Sequence, residues 1–295
     1  MIRFWLIALA VLAATGPVRS ADRLNVVASF SILGDFVRNV GGDRVNVTTL
    51  VGPNSDAHVY VPTPADAKKV ADAKLVFVNG LGFEGWMSRL VQSSGSKATV
   101  VVASTNITPL KLGASADPHA WQTVTNAKTY VYNIRIALSA AAPADAAIFQ
   151  ANAEAYRAKL EALEDEIGGL VGSIPPEHRK VISTHTAFGY FAKAYGIEFI
   201  APRGVSTESE PSARDIAGII TQIKTRKIPA VFLENISDPR LIERIAAETG
   251  ARVGGTLYSD SLTDEKGDAP TYIDMVSHNI RTLRNGIGHG PGPIR

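Results

Sequence analysis

From Ala144 to about Leu170 the sequence runs without proline, and without glycine until Gly168-Gly169. Apolar residues fall at Ile148, Tyr156, Leu160, Leu163, Ile167 and Leu170. Steps of three and four put them on one helical face. A helix of that length runs roughly 40 Å, long enough to cross a whole molecule and join two bodies. Asp145 reads as its cap.

Strand-like and helix-like segments alternate on both sides of it. Before it, LNVVAS (24–29), RVNVTTLV (44–51), LVFVN (75–79) and TVVVA (99–103) read as strands, rich in β-branched residues. Helices are expected from Ser31, which can cap, to about Val40, from Thr63-Pro64, around Trp86 to Val91, and from Val124 to Ala140. After it, KVIS (180–183), EFIA (198–201), AVFLE (230–234) and RVGGTL (252–257) read as strands. Helices are expected at 188–195, 212–227, 238–249 and 272–287. Continuous apolar runs such as LVFVN suit a sheet buried on both faces. The expected fold class is α/β: two similar lobes with parallel-type sheets flanked by helices, joined by one long rigid helix. The expected boundaries are an N-terminal lobe at 21–142, the linking helix at 143–172 and a C-terminal lobe at 173–288.

Residues 1–20 read as a signal peptide: Arg3, an apolar stretch Phe4 to Ala14 too short to span a bilayer, and a small-residue cleavage site ending at Ser20. The glycine- and proline-bearing tail 289–295 is expected to be disordered. Cysteine is absent, which leaves no disulfide, no thiolate ligand and no lipid-bearing Cys. A periplasmic protein that is not a lipoprotein is expected. Loss of Arg3 and Arg19 with the signal takes the formal charge from +2 to 0. A neutral chain without a basic block argues against nucleic acid or anionic membrane as partner.

Four side chains stand in matching strand-to-loop contexts. They are His58 in SDAHVY, His119 in DPHAW, His185 in STHTAF and Asp260 in YSDSL. Two precede the long helix and two follow it. Open α/β sheets place ligands beyond the carboxyl ends of their strands, so two facing sheets can bring all four to a shared cleft. Three imidazoles and a carboxylate make a complete tetrahedral set for a divalent metal. Imidazole suits Zn²⁺, whereas Mn²⁺ prefers more oxygen. Each ligating His needs an acceptor for its other N–H, and Glu234 at a strand end is a candidate. His178, His278 and His289 lack such contexts and read as ordinary residues.

Taken together, these motifs resemble the periplasmic solute-binding proteins of metal ABC transporters, the zinc and manganese binders of the ZnuA-like, cluster A-I family. The resemblance rests on Gly52-Pro53 through Tyr60, Asp117 through Trp121, Thr184 through Phe191 and Tyr258 through Leu262, and it spans the mature chain. The runs GVSTESE (204–210) and ENISD (234–238) bring it closest to the AztC-type zinc binders. The resemblance implies a monomeric carrier that is not an enzyme, with a metal site at the lobe interface made by His58, His119, His185 and Asp260. Its partners would be an ABC transporter membrane permease and a periplasmic zinc metallochaperone. Manganese binders of the family commonly have Glu at the third position, where this chain has His185, so Zn²⁺ is favoured over Mn²⁺. Many zinc binders carry a long His-rich loop before the second ligand. Here ITPLKLGASAD (107–117) is short and has no His, which removes one support for an accessory site or for acceptance from a chaperone through that loop.

A manganese-binding member of the same family is the alternative. A secreted zinc hydrolase is the rival from another class. Against it, the chain has no H-E-x-x-H pair, and a fourth protein ligand would close the position a catalytic water needs. A binder of an organic solute would take up no stoichiometric zinc.

Overall fold

The structure is a computed structural model, and it describes residues 23–113 and 115–288. The expected signal peptide (1–20) and tail (289–295) lie outside the described residues. The first half follows the predicted alternation: β1 (Leu24–Phe30), α1 (Ser31–Gly41), β2 (Val45–Val51), α2 (Pro64–Ala71), β3 (Leu75–Val78), α3 (Met87–Ser94) and β4 (Thr99–Val102). A short hairpin, β5 (Lys111–Leu112) and β6 (Ser115–Ala116), precedes α4 (Val124–Ala141). The long helix α5 (Ala146–Gly172) comes next. The second half holds β7 (Lys180–Ile182), α6 (Gly189–Tyr195), β8 (Glu198–Ile200), α7 (Ala213–Arg226), β9 (Ala230–Glu234), α8 (Arg240–Thr249), β10 (Arg252–Leu257) and α9 (Tyr272–Ile287).

Each half builds one four-stranded sheet, in the orders β2-β1-β3-β4 and β10-β9-β7-β8. Every pairing within them is parallel. Parallel strands need helical crossovers, which cover both faces and explain why β3 is buried along its whole length. Thr63 caps α2 as expected, in a capping box with Asp66 and with Pro64 at the first position. β10 slips in register against β9 between Val253 and Thr256, over Gly254-Gly255. Both glycines are needed there. A Cβ on Gly254 would lie 2.5 Å from the Phe232 ring, and Gly255 has φ +127°.

Helix α5 has the predicted length but not all of the predicted contacts. Its buried residues are Phe149, Ala153, Tyr156, Leu160, Leu163, Ile167 and Val171. Ile148 and Leu170 are only partly buried, because the stripe keeps steps of three and four through Phe149 and Val171. Asp145 makes no side-chain cap; its carboxylate lies 3.6 Å from Arg44 Nε, after a 3-10 turn at Pro143–Asp145. Ser31 does not cap α1 either. Its hydroxyl is committed to Leu262 N–H, from the other half of the chain. The hairpin β5–β6 stands where only a loop was expected, its strands too short to carry a pattern.

One hydrophobic core runs through both halves. It joins Val26, Phe36 and Phe77 of the first half to Tyr156 and Leu160 of α5 and to Phe188, Phe232, Tyr272 and Leu283 of the second. A smaller cluster, with Ile219, Ile223, Val231, Ile242 and Ile245, fills the space between the second sheet and α7–α8. No helix among the described residues is long and apolar enough to cross a membrane. Leu160 is 0% exposed in the middle of the shared core. Leu160→Ala is expected to cost about 2–5 kcal/mol in denaturant unfolding, and Ile148→Ala clearly less.

Candidate metal centre

All four predicted side chains meet. One ligand atom each from His58, His119, His185 and Asp260 falls within 4.8 Å of the other three. Each is delivered by the segment that follows the carboxyl end of a strand: β2 for His58, the β5–β6 hairpin after β4 for His119, β7 for His185 and β10 for Asp260. Both sheets aim those ends at one place, as the crevice rule requires.

Two of the loops use the same local device. Asp56 Oδ1 accepts the His58 backbone N–H at 2.8 Å, and Asp117 Oδ1 accepts that of His119 at 3.0 Å. An Asp bonding the amide two residues on is an Asx-type turn, favoured by its short acceptor side chain. In the second loop the same Asp117 oxygen also takes His119 Nδ1 at 2.8 Å. That fixes the ring and leaves Nε2 facing the centre. Indole N–H of Trp86 donates to Ala57 C=O at 2.8 Å and holds the first loop in place.

His185 is held by a longer-range partner. Glu234, at the end of β9, accepts its Nδ1 at 2.6 Å, and also the backbone N–H groups of Thr184 and His185. Ser259 Oγ donates to the same carboxylate at 2.7 Å. Glu234 is therefore the acceptor that its strand-end position hinted at. Asp117 was missed as a partner of His119, although the repeated Asp-x-His spacing at 56–58 and 117–119 was a visible signal.

Distances at the centre suit a shared ion. His58 Nε2 lies 3.3 Å from His119 Nε2 and 3.2 Å from Asp260 Oδ2. His185 Nε2 lies 3.1 Å from Asp260 Oδ2, and His119 Nε2 lies 3.6 Å from Asp260 Oδ1. A tetrahedral ion with bonds of about 2.0–2.1 Å spaces its ligand atoms about 3.3 Å apart. Both Asp260 oxygens and His185 Nε2 are buried and receive no well-aligned hydrogen bond from the described residues. Unpartnered buried polar atoms are costly and call for an occupant.

Charges within the cluster are coupled. Burial opposes the charged form of His119, but the carboxylates of Asp260 and Asp117 outweigh it and raise its pKa. Burial likewise opposes charge on His185, and Glu234 with Asp260 raises its pKa well above the ordinary value. Burial pushes Asp260 up, yet His119 and His185 hold it well below the usual carboxylate range. Glu234 is also lowered, burial being outweighed chiefly by His185.

Aromatic rings wall the site. Phe83 meets the His58 ring edge-on at 4.7 Å, and Trp121 meets His119 at 5.3 Å. His119, His185 and Asp260 are 0% exposed, whereas His58 is 8% exposed. A cavity of about 460 Å³ opens on the His58 side, with Leu81, Gly82, Pro118 and Val205 in its walls. Of the other described histidines, His278 bonds the Thr256 carbonyl and His178 lies in a 3-10 turn; neither enters the cluster.

Comparison with known proteins agrees with this geometry. Residues 26–286 match the family described as "ZnuA: Zinc-uptake complex component A periplasmic". The manganese-binding lipoprotein MntA of Halalkalibacterium halodurans is 36% identical over 92% of this chain and 91% of its own. The iron-binding protein YfeA of Yersinia pestis is 35% identical over 96% of this chain and 92% of its own. The periplasmic zinc binding protein TroA of Treponema pallidum superposes with a TM-score of 0.86 at 32% identity, over 90% of this chain and 99% of that structure. Such relatives are solute carriers rather than enzymes, and the chain belongs to the ZnuA family of metal-binding substrate-binding proteins, which serve the membrane permeases of ABC transporters.

Proposed function

We propose that this protein is a periplasmic carrier that captures Zn²⁺ through His58, His119, His185 and Asp260 and presents it to its permease for zinc import. The carrying observation is the buried cluster itself: three imidazoles around a carboxylate whose oxygens receive no well-aligned hydrogen bond from the described residues, with one ligand atom of each of the four within 4.8 Å of the others. Here the metal is cargo. Three nitrogens and one carboxylate suit zinc, and the outward nitrogens of His119 and His185 each have an anionic acceptor that strengthens the imidazole as a donor. The absence of cysteine supports a protein without a lipid anchor, although several relatives are named lipoproteins. The neutral mature charge argues against a nucleic-acid partner, and we take the carrier to be a monomer. We place a periplasmic metallochaperone as donor, with the His58 side, where the cavity opens, as the entry. We place the lobe boundaries at 142 and 172, on either side of α5 (Ala146–Gly172).

Manganese is the second reading, favoured by the relatives named as manganese binders. A carboxylate can bind through both oxygens, and both Asp260 oxygens face the cluster. Competitive titration of Zn²⁺ and Mn²⁺ into metal-free protein separates the two. Zinc is expected to bind one ion per chain and to displace manganese. Displacement in the other direction would assign manganese. In that assay His58→Ala is expected to abolish tight binding. Turnover of peptide, ester or phosphate substrates lost in the same variant would instead indicate a hydrolase.

The hydrogen-bonded acceptors give a second expectation. Asp117→Asn and Glu234→Gln should each weaken zinc binding about 10–100-fold while leaving one ion per chain. Equilibrium competition with a chromophoric chelator measures this.

Acidity gives a third. The ligating rings must be neutral, so protons compete with the ion. His119 and His185 hold their protons above the ordinary histidine range in the metal-free cluster. Affinity is therefore expected to rise through neutral pH and to go on rising above about 6.5, the free-histidine value. Raised histidine pKa values stabilise the metal-free fold at low pH, and that contribution is lost as pH rises through them. The gain in Tm on adding zinc should thus grow from mildly acid to mildly alkaline pH. Thermal melts with and without zinc across that range check both signs.

A further inference from the structure

By sequence, Asp260 sits with His185 after α5, and the four side chains divide two and two. The hydrogen bonds divide them differently. The backbone around Asp260 is held on both sides by the first half of the chain. Ser259 C=O accepts Trp121 Nε1 at 2.9 Å and Gln122 Nε2 at 2.7 Å. Leu262 N–H donates to Ser31 Oγ at 3.0 Å, and Leu262 C=O accepts Asn54 N–H at 2.9 Å. Ser55 N–H donates to Ser261 Oγ at 3.3 Å. Further on, Tyr272 N–H donates to Asp35 Oδ2 at 3.0 Å, and Tyr272 OH to Trp121 C=O at 2.7 Å. Asn279 binds both backbone groups of Tyr258, which ties α9 to the same block.

The backbone around His185 shows the opposite pattern. Ser183 N–H donates to Ile200 C=O, Thr184 and His185 N–H to Glu234, and Thr186 N–H to Gly204 C=O. All of these partners belong to the second half. The following helix, α6, does reach across, through Tyr190 OH to Asp117 C=O and Tyr195 OH to Val124 N–H. Thr207 OH also reaches Asp56. These are side-chain contacts from residues at least five positions away from His185. The Asp260 block is also linked to the end of β9: Leu257 pairs with Glu234, Asn235 N–H donates to Leu257 C=O at 3.3 Å, Ser259 Oγ donates to Glu234 and Asn235 Nδ2 donates to Ser261 C=O. The Gly254-Gly255 register slip lies earlier in β10, and pairing with β9 resumes at Thr256 and Leu257.

We infer that Asp260 belongs mechanically to the first half, so that His58, His119 and Asp260 form a standing three-ligand platform and His185, carried by the second sheet with Glu234, is the ligand that closes and reopens the site. Three protein ligands with one open position is a stable way to hold zinc. The platform would accept the ion first, and His185 would complete the sphere. Ser31, Trp121 and Gln122 are then positioning residues for Asp260. This inference rests on the metal reading above.

Hydrogen–deuterium exchange on metal-free and zinc-loaded protein tests it, together with His185→Ala. In metal-free protein the amides of Leu262 and Tyr272 should be as protected as those of Val26 and Val27 in β1, while Thr184 and Thr186 should gain protection only when zinc is added. His185→Ala should still take one zinc per chain, at least about 100-fold more weakly, since loss of a ligand exceeds the loss of a ligand's hydrogen-bond partner. Zinc should then no longer protect residues 184–186. Loss of protection at Leu262 and Tyr272 together with 184–186 on zinc removal would overturn the platform. So would a folded His185→Ala that takes up no zinc. Failure of the unaltered protein to bind zinc would overturn the metal reading instead, and exchange in the metal-free protein would still decide where Asp260 is anchored.

Discussion

A carboxylate at Asp260 is buried with neither oxygen properly hydrogen-bonded, and the surrounding architecture is arranged to tolerate it. An isolated charge in such a place is prohibitively unfavourable. Three imidazole nitrogens lie 3.1–3.6 Å from its oxygens, and an ion shared among them would balance its charge. The dry aromatic wall of Phe83 and Trp121 strengthens every one of these interactions by excluding water.

The two sides secure their imidazoles by different means. On the first side a three-residue Asp-x-His turn orients His119 through purely local bonds. On the second, His185 and Glu234 are 49 residues apart and meet only because β7 and β9 are neighbours in a parallel sheet. Glu234 also receives Ser259, so one carboxylate registers the position of both β7 and the segment after β10. The three-residue turn of His119 is made by local bonds, whereas the setting of His185 exists only once the second sheet is assembled.

Most strands and helices were legible because each half alternates β-branched runs with capped amphipathic stretches. Thr63-Pro64-Ala65-Asp66 forms the capping box that its residues spell out. The four cluster residues were legible as well, each sitting just past a strand. What stayed hidden was long-range. Ser31 looked like a cap, but its hydroxyl serves Leu262, 231 residues away. Asp145 looked like a cap, but Arg44 competes for it. The face of α5 was read one residue off at both ends because Ile148 and Phe149, or Leu170 and Val171, are interchangeable to a hydrophobicity pattern and only the neighbouring helices choose between them. Asp117 was overlooked because an Asp before a Pro is an ordinary turn signal, and its second bond, to the ring of His119, depends on a side-chain orientation that spacing does not encode.

The core that threads both halves has a thermodynamic consequence. Residues from Val26 to Ile287 belong to one contiguous apolar cluster, with α5 running through its middle. Neither sheet could be lost while the other kept its burial, so the two halves should melt as one cooperative unit. An ion held at the proposed site would then stabilise the whole chain against unfolding, including the buried stripe of α5 far from the cluster.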